Sequence, residues 1–303
     1  MKIQQPSIKL KNHLTQEDYE DIKGLIKYCL EEENIALKLE LDYKMKSSEK
    51  SDNIERINEF MFYDNKTLIG YIGICQFSGE ALEVNGLVHP QYRKMGVFSR
   101  LFSLVKDEWH RRKTQDMLLL SDHNSFSGIV FIKQTSAQYD NSEYEMFLKN
   151  ELIKNEFESD VLTFRKATNK DAMEIARQNS IYFEMILDNT DIISPEEEAK
   201  RGVDIYIVEL GEKVVGKVQI GVDDGIGGIY GLGVLPQYRR RGFGKEIILK
   251  AVNKLKEKQV KEIMLQVAVK NKNALNLYKS CGFVEQSKMD YYKLTKSNKI
   301  ISI

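Results

Sequence analysis

The sequence predicts an α/β (α+β) chain built from two copies of one domain, and three observations carry that prediction. The tetrapeptide Pro90-Gln91-Tyr92-Arg93 returns as Pro236-Gln237-Tyr238-Arg239, an offset of 146 residues. Its surroundings return with it: at the same offset Gly96 meets Gly242, and Leu68-Ile69-Gly70 meets Val214-Val215-Gly216. In both copies short apolar runs alternate with amphipathic stretches of helix length, the pattern of a sheet packed on helices.

The elements follow in one order in each copy, starting with N-terminal helices. The turn-like pairs Asn65-Lys66 and Gly211-Glu212 precede the two triplets, so each copy has a strand, a tight turn and a second strand. Another strand ends near Pro90 and near Pro236. The helix after it has an apolar stripe: Val97, Phe98, Leu101, Phe102, Val105 and Trp109 in the first copy. In the second the stripe is Ile247, Ile248, Ala251, Val252 and Leu255. A further strand follows at residues 116–121 and 262–269. The polar stretch 156–160 precedes an apolar restart at Val161-Leu162, which puts the domains at residues 1–157 and 158–303.

Composition excludes several classes. Lys plus Arg and Asp plus Glu both number 45 in 303 residues, so the chain lacks the basic excess of a general nucleic-acid binder. Hydrophobic residues make up 42% and charged residues 30%, which supports a packed core. Cys29, Cys75 and Cys281 are widely spaced, and His13, His89, His110 and His123 form no cluster, so neither a disulfide framework nor a metal site is expected. The polar start of the chain lacks a signal core, and no apolar run reaches the roughly 18 residues of a membrane span. A reducing, cytoplasmic setting is the expectation.

The most informative segment runs from Gly233 to Gly244. An apolar strand ends at Pro236, a basic turn with Arg239, Arg240 and Arg241 follows, and a helix opens behind Gly242 and Gly244. Glycine lets an anion approach bare backbone, and the free N–H groups of a helix start hold it. Arginines add charge-assisted contacts. A plain solvated helix start and a small nucleic-acid patch are the other readings of these residues. Just upstream, Gly225-Ile226-Gly227-Gly228-Ile229-Tyr230-Gly231 imitates a dinucleotide fingerprint. Tyr230 stands where the third glycine belongs, and a strand follows instead of a helix, so these glycines read as a turn between antiparallel strands.

Arg239-x-x-Gly242-x-Gly244 resembles the acetyl-coenzyme A pyrophosphate loop of the GNAT acetyltransferase superfamily. Asn273-Ala274, Leu277-Tyr278 and Cys281-Gly282-Phe283 resemble that family's next motif, with Asn271 or Asn273 at its first asparagine. The resemblance covers residues 162–293 well and the first half more faintly, in the manner of a tandem member. It implies two mixed, mostly antiparallel twisted sheets flanked by helices, each splayed into a cofactor cleft. It further implies that the backbone at Leu232, Gly233 and Val234 meets the pantetheine arm and the thioester. Arg239, Arg240, Arg241, Gly242, Phe243, Gly244 and Lys245 would hold the pyrophosphate, Asn273 would bond near the arm, and Tyr278 would sit beside the sulfur. The implied activity is N-acetylation of a small-molecule or peptide amine by direct attack. The alternative is an acyl-CoA-binding or regulatory module without turnover. No nucleic-acid or membrane partner is implied.

That chemistry needs a neutral amine, donors for an oxyanion and a proton or hydrogen bond for the thiolate. Tyr278 is the candidate catalytic acid, against an ordinary reading as a core aromatic. Cys281, with no histidine near it, reads as a buried filler. No general base stands out: Glu83 of the first half falls at Ile229 by offset. Asp223, Asp224 and Glu184 are substitutes for it, through water, but read first as surface or turn residues. The acids Glu184, Asp188, Asp191 and Glu196-Glu197-Glu198 could attract a cationic amine but read first as a solvated helix face. In the first half Gly244 becomes Phe98, Asn273 becomes Ser127, Leu277 becomes Phe131 and Tyr278 becomes Ile132. That half reads as a degenerate copy that keeps its packing positions and loses its chemical ones.

Overall fold

The computed structural model describes residues 2–47, 56–77, 81–149, 161–183, 192 and 194–296. The chain forms two compact units, Met1–Ser142 with Ser287–Ile303, and Glu143–Gln286. In chain order the elements are β1 (Pro6–Lys11), α1 (Gln16–Glu32), α2 (Leu41–Ser47), β2 (Glu59–Asp64), β3 (Thr67–Cys75), β4 (Leu82–Val88), α3 (Val97–Arg111), β5 (Asp116–Asp122), α4 (Phe126–Lys133) and β6 (Gln138–Leu148). The second series is β7 (Leu162–Lys166), α5 (Ala172–Phe183), α6 (Pro195–Lys200), β8 (Val203–Leu210), β9 (Lys213–Asp223), β10 (Ile226–Val234), α7 (Phe243–Glu257), β11 (Glu262–Ala268), α8 (Lys272–Ser280) and β12 (Phe283–Thr295).

The first unit's sheet runs β1-β2-β3-β4-β5-β12, and the second's β6-β11-β10-β9-β8-β7. The β4–β5 and β10–β11 pairs are parallel. The other ladders within these sheets are antiparallel. The mixed sheet expected for each copy is therefore present. The units, however, are not the consecutive halves at 1–157 and 158–303. The last strand, β12, closes the first unit by pairing with β5 from Met289↔Asp122 to Thr295↔Asp116. The end of β6 closes the second by pairing with β11 from Met264↔Phe147 to Ala268↔Glu143. Each exchanged strand covers backbone that would otherwise be an open sheet edge. The stretch 156–160, where the boundary was expected, lies outside the described residues.

The foreseen hairpins form with the turn chemistry their residues suit. Asn65 (φ 56°) and Gly211 (φ 61°) take positive φ in two-residue loops. Asp224 (φ 43°) and Gly225 (φ 78°) both do so between β9 and β10, the backbone of a type I′ turn. Strands β1 and β7 precede the helices of each copy and were not foreseen. In β1 almost every residue is exposed, so no burial pattern marks it.

The apolar stripes of α3 and α7 sit where their spacing put them. Leu101, Val105 and Trp109 pack in the first unit's core with Ile72, Ile74 and Leu119. Ile247, Ala251 and Leu255 pack in the second with Val218, Ile220 and Leu265. Helix α1 is fixed at its start by a capping box between Thr15 and Asp18. Among the described residues no helix is long and apolar enough to cross a membrane.

Candidate functional site

The site of the second unit begins where two strands part. β10 pairs with β11 only from Ile226↔Glu262 to Ile229↔Leu265. Beyond Ile229 it stays on β9 alone, with a bulge between Tyr230↔Gln219 and Gly233↔Lys217. An extra residue on one strand bends it and sharpens its twist, which opens a cleft beside β11. The Leu235 N–H donates to the Val215 carbonyl on β9. By strand alternation the Val234 peptide therefore faces away from β9. Its carbonyl accepts from Arg239 Nε at 2.9 Å.

A 3-10 turn, Pro236–Tyr238, leads from the strand into α7. Arg239 is extended, Arg240 is left-handed (φ 63°), and Gly242 caps the helix, also left-handed (φ 83°). Alternation of this kind turns successive N–H groups toward one concavity, a backbone nest for anions. None of the five backbone amides from Arg240 to Gly244 has a partner among the described residues. A Cβ added at Gly242 would meet nothing within 4 Å, so the turn is open. Arg239, Arg240, Arg241 and Gly242 are exposed, while Phe243, Gly244 and Lys245 are half-buried. The Arg241 guanidinium lies 5.7 Å from the Tyr238 ring centre.

The other expected residues fall as follows. Leu232 and Val234 pack on the second unit's core, and Gly233 is buried. A Cβ on Gly233 would stand 2.1 Å from the Tyr182 ring, so that ring rests on bare backbone. Asn271 caps α8, its side-chain oxygen accepting from the Ala274 N–H at 3.2 Å, whereas Asn273 is exposed. Tyr278 is 8% exposed and packs beside Phe283. Burial pushes its phenol up to about 12, and the hydroxyl has no hydrogen-bond partner among the described residues. Cys281 is buried at the end of α8 with its thiol pushed up by burial, consistent with a filler.

Three side chains at this site escaped the sequence reading. Lys217 on β9 is fully buried and donates to the Gly231 carbonyl of the bulge at 2.9 Å. Tyr182 of α5 covers Gly233. The Tyr230 ring folds over Gly228, where a Cβ would lie 2.0 Å from its hydroxyl. The bulge also corrects one correspondence. Glu83 lies opposite Leu118 in β5, and the residue opposite Met264, 146 positions on from Leu118, is Gly228 and not Ile229. Asp224 is a turn residue, and Glu184, Asp188 and Asp191 lie outside the described residues.

The first unit repeats this geometry with different chemistry. β4 leaves β5 after Val84↔Leu119, Lys94 (φ 62°) and Gly96 (φ 80°) are left-handed, and Arg93 Nε donates to the Val88 carbonyl at 3.3 Å. A cavity of about 600 Å³ lies in the splay, lined by residues such as Asn85, Val88, Phe98, Phe102, Phe131 and Ser125. Arg93 is paired with Glu33, so the chain supplies its own anion there. Glu83 lies 3.9 Å from the Lys38 ammonium.

Splayed mixed sheets with an amide-lined turn at the opening define a fold with a ready anion-binding turn beside a cleft. The sequence signature of the acetyltransferase (GNAT) family matches residues 170–283. N-alpha-acetyltransferase 30 of Saccharomyces cerevisiae is 36% identical over 67 residues, covering 22% of this chain and 38% of that protein. An N-alpha-acetyltransferase of Sulfurisphaera tokodaii is 30% identical over 100 residues, 29% of this chain and 60% of that protein. The chain thus spans less than two thirds of the length of these curated relatives. A GCN5-related N-acetyltransferase structure from Sphaerobacter thermophilus superposes with a TM-score of 0.74 at 17% identity, over 95% of each chain. A tandem GNAT protein from the clavulanic acid biosynthesis pathway superposes at 0.71 and 10% identity, over 97% of this chain and 100% of that one. The GNAT acetyltransferase signature thus lies in residues 170–283, and the likeness to these solved structures carries the same fold over the rest of the chain.

Proposed function

We propose that the second unit is an N-acetyltransferase that moves an acetyl group from acetyl-coenzyme A to a primary amine by direct attack in a ternary complex. The amine belongs to a small molecule or a peptide. The observation that carries this reading is the run of five amides from Arg240 to Gly244, in the turn between β10 and α7, that have no partner among the described residues. Unpaired amides at a helix start are a ready cradle for a diphosphate. The residues fit such a group: Gly242 leaves room for its oxygens, and Arg240 and Arg241 are exposed beside it.

Acetyl-coenzyme A supplies the activated acetyl group and the leaving thiolate. The Val234 N–H, turned away from β9, is the donor for the oxyanion that develops on attack. Arg239 holds the end of β10 through the Val234 carbonyl and so fixes that donor. Tyr278 stays a neutral phenol, because burial raises it to about 12. Full transfer of its proton to a thiolate of ordinary pKa, about 8.5, would run uphill by about 5 kcal/mol. Its role is therefore a hydrogen bond to the departing sulfur.

The N-alpha-acetyltransferase relatives put peptide α-amines on the list of acceptors. The test is release of free thiol from acetyl-coenzyme A with peptides, amino acids, polyamines and aminoglycosides as acceptors, alongside the cofactor's effect on Tm. Thiol release with one acceptor class supports the reading. A raised Tm with no release from any amine selects an acyl-CoA-binding protein instead, and no rise in Tm removes the cofactor site itself.

A further inference from the structure

Lys217 is among the largest fully buried side chains of the protein. Among the described residues its ammonium has one acceptor, the Gly231 carbonyl at 2.9 Å, and the Phe183 ring centre lies 5.6 Å away. Among the described residues no carboxylate is paired with it. A buried cation without a counter-charge is costly, and such a group sheds its proton. Burial alone brings Lys217 down to about 7, so near neutral pH a large share of it is free amine.

The first unit shows what the paired alternative looks like. The position 146 residues before Lys217 is Tyr71, also fully buried. Its hydroxyl donates to Glu59, which Lys44 neutralises. The counterpart of Glu59 in the second unit is Ile205. The fold holds a buried polar group at this position in both units and removes the acid only in the second.

Lys217 also stands at the reacting end of the site. It pairs across the ladder with Gly233, one residue before the Val234 donor. A Cβ on Gly231 would lie 3.0 Å from Lys217 Nζ and 3.1 Å from Gln219 Cδ, so both side chains converge on the bulge. Among the described residues Tyr182 from α5 covers Gly233, the partner of Lys217 across the ladder, and Tyr230 from β10 covers Gly228 and Gly221. β8 presents Ile207 and Ile205, and its own strand presents half-buried Gln219.

We propose that Lys217 is the base that takes the proton from the acceptor's ammonium group, an inference that rests on the acetyltransferase reading above. An N–H bond of the ammonium breaks as one forms on Lys217 Nζ, relayed through one water because Lys217 is itself fully buried. The neutral amine then attacks the thioester carbonyl, and the C–S bond breaks as the C–N bond forms. The proton held on Lys217 leaves to solvent before the next turnover.

Two measurements on the full chain test this. The first is the pH profile of kcat/KM for the wild type, Lys217→Met and Lys217→Arg, with Tm shifts by acetyl-coenzyme A as the binding control. The wild-type profile rises to a plateau above about pH 7, and both variants lose about 100-fold or more in kcat while keeping the cofactor's Tm shift. Arginine keeps the cation and its donors but cannot act as a base. Wild-type rate and profile in Lys217→Arg, or in Lys217→Met, would overturn the proposal. The second measurement needs no substrate: an ¹⁵N-lysine titration, with Lys217 assigned by its absence in Lys217→Arg. A midpoint near 7 supports the proposal, and a midpoint at the ordinary lysine value overturns it even if no acceptor is ever found. Failure of every amine with a midpoint near 7 counts instead against the acetyltransferase reading.

Discussion

Gly244 and Leu277 touch so closely that a Cβ on the glycine would stand 2.9 Å from the leucine Cδ2. The missing side chain lets α8 seat against the first turn of α7 and leaves the turn's amides bare. The first unit fills the same pair of positions with Phe98 and Phe131, whose ring centres lie 4.6 Å apart, edge to face. Contact between the helices survives, but through rings that line the cavity instead of an open backbone.

Putting the first unit's residue into the second should therefore hurt twice. Gly244→Phe alone overpacks against Leu277 and costs about 1–3 kcal/mol in denaturant unfolding. Adding Leu277→Phe restores part of this through the aromatic pair, with a coupling of about 1 kcal/mol in the double-mutant cycle. The Tm shift by acetyl-coenzyme A should be lost in both, because the ring covers the amides. A retained shift in the stable double variant would mean the cofactor sits elsewhere.

The strand exchange makes a prediction about fragments. A fragment of residues 158–303 lacks the part of β6 that covers β11 and carries the part of β12 that belongs on β5. It should show no cooperative thermal transition and should aggregate through its open edge. A fragment of residues 143–286 holds the paired end of β6 and the whole of β7 to β11 and should melt cooperatively. Thermal scans with size-exclusion chromatography of both fragments decide it. Equal folding of the two would mean β6 adds little to the second unit.

What the sequence made legible was local. The repeat, the two-residue turns and the stripes of α3 and α7 depend on neighbours within a few positions, so periodicity and turn residues report them. The basic turn was legible because glycine and arginine are the residues it needs. The bulge was not: Ile226–Val234 is rich in glycine, so its side chains give no alternation against which one extra residue would show. Nor was the exchange of β6 and β12, because a strand's own pattern does not name its neighbour. Lys217 did leave a signal, a lone charge inside the apolar run Val214-Val215-Gly216-Lys217-Val218. That charge alone does not mark burial, because a lysine in a strand is ordinarily on the wet face.

The buried pair Lys44–Glu59 should be indispensable one partner at a time and dispensable as a group. The two charges lie 2.8 Å apart with side chains 7% and 2% exposed, and the Tyr71 hydroxyl donates to the same carboxylate. Glu59→Gln removes the carboxylate from beside a buried ammonium and should cost about 3–5 kcal/mol in urea unfolding. Replacing all three by Met, Leu and Phe of similar volume should cost far less. A triple variant as unstable as Glu59→Gln would show that this network orders the unit in a way apolar packing cannot replace.

Asp171 predicts an acid limb for the second unit. Its carboxylate takes two bonds from the Arg165 guanidinium, at 2.9 and 3.0 Å, and a third from the Thr168 N–H at 2.8 Å. The Arg165 bonds, then the Thr168 contacts, outweigh burial and hold it at about 2, below its ordinary 3.8. Because the folded state depresses this group, the unfolded state binds the proton first. The stabilisation is complete above the ordinary value and is lost as pH falls through the folded one. Asp171→Asn should therefore lower Tm most at neutral pH, and the gap to the wild type should close between about pH 4 and about pH 2. Thermal scans across that window check the sign. A gap that stays constant would assign the loss to the Thr168 cap, whose hydrogen bonds asparagine disturbs at every pH, and not to the charge on Asp171.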